Sequence, residues 1–72
     1  MSTPADELRT AAQRLRDVAP DITGPLAGLA DPVADWLDAE AQRLTTTAHP
    51  DWQEVCSPNA VTVARQILGT AK

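Results

Sequence analysis

Ser57-Pro58-Asn59-Ala60-Val61-Thr62-Val63-Ala64-Arg65-Gln66-Ile67-Leu68-Gly69 is the stretch that decides the fold. A serine before a proline opens a helix well, because the hydroxyl can accept a free first-turn N–H and proline lacks the donor that the first turn leaves unused. At about 100° per residue, Ala60, Val61, Val63, Ala64, Ile67, Leu68 and Ala71 project within about 160° of arc, opposite Thr62, Arg65 and Gln66. Gly69 is a natural C-terminal stop. The pattern predicts an amphipathic helix over about 58–69 with Ile67 central to its buried stripe, so that a carboxylate at Ile67 is expected to unfold the chain.

The same punctuation occurs twice upstream. Thr3-Pro4 opens a helix over about 4–19, with Asp6 and Glu7 at its positive end and Ala5, Leu8, Ala11, Ala12, Leu15, Val18 and Ala19 on one side. Pro20 stops it, since proline disfavours the α conformation of the residue before it. Asp31-Pro32 opens another over about 32–45, with Val33, Ala34, Leu37, Ala41 and Leu44 in one stripe. The β-branched run Thr45-Thr46-Thr47 reads as its fraying end, ahead of His49-Pro50. Between them, residues 21–30 hold Gly24, Pro25 and Gly28, too many breakers for a long helix, yet Ile22, Leu26 and Leu29 need cover. That segment reads as a packed connector with one short helical turn. No stretch alternates as a strand does, and the expectation is an all-α single domain over 1–72, a small bundle of three main helices.

The core available to such a bundle is thin. Of 72 residues, 13 are alanine, and the larger apolar side chains are seven Leu, five Val, two Ile and two Trp, with no Phe or Tyr. A single core of this size rarely supplies more than about 3–5 kcal/mol, and short chains often lean on disulfides, metals or a partner subunit. The lone Cys56 excludes an intramolecular disulfide. No apolar run approaches the length of a membrane span, Met1 leads into polar residues, and a single free thiol suits a reducing compartment, so we expect a cytoplasmic protein.

Three stretches carry a resemblance: Pro4-Ala5-Asp6-Glu7-Leu8-Arg9 through Ala11-Ala12-Gln13-Arg14-Leu15-Arg16, then Pro32-Val33-Ala34-Asp35-Trp36-Leu37, then Ala60-Val61-Thr62-Val63-Ala64-Arg65-Gln66-Ile67-Leu68-Gly69. In these stretches the chain resembles short uncharacterised helical proteins of actinobacteria and their phages or prophages. The resemblance implies a small helical protein and brings no catalytic residue with it. Such proteins often have a cysteine and a histidine shortly before the last helix; here Cys56 is present, and Asn59 and Ala60 stand where the histidine would be.

No constellation reads as an active site, and we expect neither an enzyme nor a cofactor nor a small-molecule substrate. His49 and Cys56, with Asp51 and Glu54 between them, are the one cluster of possible metal ligands, and two good ligands do not close a tetrahedral zinc site. The same pair is formally a base and a thiol, with no orienting third group. An acyl carrier would need a serine opening its second helix, where Asp31-Pro32 stands, and Ser57 is followed by proline. Trp36 and Trp52 are the only aromatic residues. Glu40 projects between Trp36 and Val33, leaving Trp36 at the edge of its stripe, where it either covers the neighbouring elements or anchors an interface. The candidate interaction surface is therefore Trp36, Glu40 and Trp52.

Charge bears on partners. The chain has a net charge of −4, and residues 31–54 hold six acids against Arg43 alone. That argues against duplex binding, which depends on neutralising several phosphates. The expected function is non-catalytic: binding of a protein partner, or self-association as a homodimer through a surface containing Trp36. The alternative is a nucleic-acid-binding regulator using Arg9, Arg14, Arg16 and Arg65.

Overall fold

The computed structural model describes residues 3–69. Among them are four α-helices: α1 (Pro4–Val18), α2 (Ala30–Thr47), the short α3 (Gln53–Cys56) and α4 (Pro58–Leu68). Single 3₁₀ turns occupy Ala19–Asp21, Ala27–Leu29 and Pro50–Trp52. No strand occurs among the described residues, so the all-α class holds. Ala71 and Lys72 lie outside the described residues.

Helix α1 begins as its sequence dictates. The Thr3 hydroxyl accepts the Asp6 N–H at 3.1 Å, and the Asp6 carboxylate accepts the Thr3 N–H at 3.3 Å, a reciprocal cap. Pro4 has no donor to satisfy, and the Glu7 N–H returns to the Thr3 carbonyl. One first-turn donor remains, the Ala5 N–H, and it is taken by the side chain of Gln53 from across the molecule at 2.9 Å. The helix ends one residue short of the expected boundary, and Pro20 sits within the 3₁₀ turn that follows.

Helix α2 is longer at both ends than the expected 32–45. It starts at Ala30, so Asp31-Pro32 lies inside the first turn rather than capping it; proline is tolerated there because that N–H has no intrahelical partner. At the other end the threonines extend the helix instead of fraying it. Their hydroxyls bond back to carbonyls of the preceding turn, Thr45 to Ala41 at 2.8 Å, Thr46 to Gln42 at 3.0 Å and Thr47 to Arg43 at 2.6 Å. The chain then makes two short helical pieces before α4. Ser57 occupies the N-cap position of α4, but its hydroxyl does not cap. It donates instead to Glu40 at 2.8 Å, tying the start of α4 to the middle of α2. Gly69 closes α4 in the left-handed conformation at φ 75°, its N–H reaching the carbonyls of Arg65 and Gln66.

Helices α1 and α2 run antiparallel. Arg9 near the start of α1 donates to Thr45 near the end of α2 at 3.0 Å, while Arg16 near the end of α1 reaches Asp35 at 2.9 Å and Asp38 at 2.7 Å. Their seam is built largely of alanine: Ala5, Ala11, Ala12, Ala34 and Ala41 are buried there beside Leu8, Leu37 and Leu44. Small side chains let two helix axes approach closely, and this is the most extensive packing in the molecule. Helix α4 adds Ala60, Val61 and Ala64, packing on α1 far more than on α2. Leu8, Leu37, Leu44 and Val61 are the largest fully buried side chains, which bears out the reading of a thin core. Ile67 is not among them; it is half-buried at the core's edge, so Val61 holds the central place that the spacing assigned to Ile67.

Candidate interaction surface

Because α4 leans on α1 and barely touches α2, the flank between α2 and α4 stays open. A groove of about 330 Å³ lies there, with Leu15 of α1, Val33 of α2 and Val63 and Ile67 of α4 among its lining. The connector supplies Ile22, Leu26 and Leu29, and Ala30 completes a lining made wholly of aliphatic side chains. The connector leucines do not find the cover their apolar character calls for: Leu26 is 64% exposed and Leu29 is 51% exposed. Two glycines and a proline in residues 21–30 prevent the chain from folding these side chains inward as a helix would.

Trp36 is 41% exposed. It lies three residues beyond Val33 and seven beyond Leu29, the helical spacing that places side chains on one face. That spacing puts Trp36 on the side of α2 that carries Val33, outside the lining of the groove itself. Glu40 follows one turn later, but it is held inside the fold: Arg43 donates to its carboxylate at 2.7 Å and Ser57 at 2.8 Å, and the Arg43 guanidinium also reaches the Ser57 hydroxyl. First Arg43 and then Ser57 hold the Glu40 carboxyl below its ordinary value of 4.5. Trp52 is 62% exposed on the turn before α3. Its neighbour Gln53 donates toward the Leu44 and Ala48 carbonyls, at the far end of α2. The helical rise separates Trp36 from Leu44 by about 12 Å along the axis, so the two tryptophans belong to different ends of α2.

The arginines are largely spoken for. Arg9 pairs with Asp6 at 3.7 Å, Arg16 with Asp35 and Asp38, Arg43 with Glu40, and Arg65 with Glu7 at 3.2 Å and Glu54 at 2.9 Å. Arg14 alone among the described arginines has no carboxylate within ion-pair distance of another described residue. Arg16 and Arg9 face α2, whereas Arg65 sits on the other helix against Glu7, so these side chains do not converge on one basic surface.

His49 and Cys56 are both exposed, and the His49 Nδ1 accepts the Asp51 N–H at 3.2 Å. Among the described residues no group of three or more His, Cys, Asp or Glu side chains is placed to hold a metal ion. No described helix is long and apolar enough to cross a membrane.

Two groups escaped the reading of the sequence. Gln53 is buried, accepting the Ala5 N–H and reaching two carbonyls that close α2; a lone glutamine between two tight turns gave no signal of that role. The groove did leave a signal, the three large aliphatics in a breaker-rich connector. Comparison with protein-family models, with curated proteins and with solved structures yields no match.

Proposed function

We propose that this chain is a non-catalytic protein-binding module whose docking surface is the apolar groove between α2 and α4, with Trp36 on the same side of α2. One observation carries the reading: a thin-cored protein leaves an open cleft lined only by aliphatic side chains instead of closing α4 onto α2. Small-molecule sites are also concave and apolar, but they carry a few placed polar groups that orient the ligand. This lining has none, which favours the apolar face of a protein element. Groove recognition of this kind reads aliphatic anchors at helical spacing. The partner is either another protein or a second copy of this chain, and a cytoplasmic setting belongs to the same proposal, supported by the exposed free thiol of Cys56.

Nucleic-acid binding is the weaker reading, because four of the five arginines are neutralised by carboxylates of this same chain. The test of the groove uses Leu26→Asp with Leu29→Asp, changes at exposed connector positions that leave the buried core intact. Wild type and variant are compared by sedimentation at micromolar concentration and by affinity capture from the native host. The reading expects a self-associated species or a captured protein that the variant loses. A monomeric wild type that captures nothing beyond what the variant captures would refute it.

A further inference from the structure

The two flanks of α4 are held in different ways. Val63 and Ile67 line the groove, and Arg65, about 200° from each around the helix, projects from the opposite flank. Arg65 donates to Glu7 in the first turn of α1 at 3.2 Å and to Glu54 on α3 at 2.9 Å. Gln53 ties that part of α3 to the Ala5 N–H and the Leu44 carbonyl, where α1 starts and α2 finishes. The groove lies toward the other end of the α1–α2 pair, where Leu15 occupies the last turn of α1 and Ala30 and Val33 the first turn of α2. Helix α4 therefore sits between the two ends of that pair, its charged flank toward one and its apolar flank toward the other. Its start is fixed to α2 by the Ser57 hydroxyl on Glu40. Among the described residues no side-chain hydrogen bond or ion pair joins α4 itself to α2.

Bringing the aliphatic walls of the groove together would take apolar surface out of water, yet the fold leaves them apart. Few large side chains interlock to fix α4 at this distance, since only Ala60, Val61 and Ala64 of that helix are fully buried. The polar bracket on its far flank does oppose closure: a shift of α4 toward Val33 lengthens both Arg65 ion pairs, because Glu7 is anchored by α1 and Glu54 by α3. Resting on the groove reading above, we infer that Arg65 is a positioning residue that holds α4 back from α2 and keeps the groove open for its partner. A site that is open in only a fraction of molecules loses affinity by that fraction, so Arg65 acts on binding without touching the occupant.

The test is Arg65→Gln, which keeps a polar side chain and removes the charge, beside Arg65→Lys as the conservative rescue and Glu54→Gln as a milder break at an exposed partner. Circular dichroism checks that each variant is folded. Methyl NOEs from Val33 to Val63 and Ile67 in the ligand-free protein report the width of the cleft. Fluorescence anisotropy of a labelled helical peptide with a leucine stripe at i, i+3, i+4 and i+7 reports binding. Arg65→Gln is expected to strengthen those NOEs and to weaken peptide binding about fivefold, the bias that exposed ion pairs of ordinary strength impose. Glu54→Gln should move both readouts in the same direction by less, and Arg65→Lys should stay near wild type. A folded Arg65→Gln protein with wild-type NOEs would overturn the inference whatever the peptide does, because a loss of stability alone does not narrow the cleft. If Arg65→Gln does not fold, Glu54→Gln decides by the same readout, and unchanged NOEs there overturn it. A peptide that fails to bind the wild type would count against the groove reading, while the NOEs judge the role of Arg65 separately.

Discussion

The two flanks of α2 were built from the same class of residue to opposite effect. Toward α1 the helix presents Ala34 and Ala41 around Leu37 and Leu44, and all four are fully buried in the core. Toward α4 it presents Val33, which shares a cleft with Val63 and Ile67, and the two helices stand apart there. Apolar character alone does not close an interface. Small residues with cross-helix ion pairs give a seam that stabilises the fold, while larger residues beside a glycine-rich connector give a surface that awaits cover.

That contrast can be broken most severely at the seam. Leu37→Ala should destabilise the fold by about 2–5 kcal/mol, which for a core of this size leaves little folded protein, because alanine-packed neighbours cannot collapse into the cavity. The matched change in the groove, Leu26→Ala, should stay within about 0.5 kcal/mol, since that side chain is already mostly in water. Urea denaturation of the pair checks both, and equal losses would mean that the two flanks do not differ as described.

Next in size is the clamp at the closed end of the seam. Gln53→Ala removes the acceptor of the Ala5 N–H and the donor toward the Leu44 and Ala48 carbonyls, leaving the buried Ala5 N–H unpaired at a cost of about 1–3 kcal/mol. A thermal melt of the variant within a degree or so of wild type would show that water replaces the glutamine without loss.

A smaller effect comes from the ties that fix α4 in place. Glu40 is held below its usual value by Arg43 and Ser57, and Glu54 by Arg65. A carboxyl with a depressed folded-state pKa stabilises the fold fully above its unfolded value of about 4.5 and loses that contribution as pH falls through the folded value. Stability should therefore decline below about pH 4.5, and Glu40→Gln should flatten that decline, measured as the urea midpoint against pH. Parallel curves for wild type and variant would show that Glu40 holds nothing. Trp36→Ala is also expected to cost little, less than about 1 kcal/mol in the isolated chain, because much of that side chain is already in water. A loss as large as that of Leu37→Ala would make Trp36 a core residue.

Much of this architecture is readable from local signals. Three prolines, each after a residue type suited to capping, mark the three main helices to within two residues, and the alanine-rich stripes mark their inner faces. What local signals miss depends on neighbours distant in sequence. Asp31-Pro32 resembles a cap, but the packing of Ala30 draws the helix start back past it. Thr45, Thr46 and Thr47 have low helix propensity, yet their hydroxyls find carbonyls one turn back. Ile67 and Val61 share a stripe, and only the lean of α4 toward α1 decides which is buried. Of the expected surface, Trp36 stands beside the groove, Glu40 is consumed by internal bonds, and Trp52 lies at the other end of α2. Periodicity assigns a side chain to a face without saying whether the next helix covers it.

The central claim is that the α2–α4 flank is a binding surface and the α1–α2 seam is not. Methyl-resolved NMR during titration with an amphipathic helical peptide that carries a leucine stripe at i, i+3, i+4 and i+7 tests it most directly. The account predicts saturable shifts at Val33, Val63, Ile67 and Leu29, with Leu8, Leu37 and Leu44 nearly still. Shifts absent from the groove methyls, or spread evenly through the seam methyls, would contradict it.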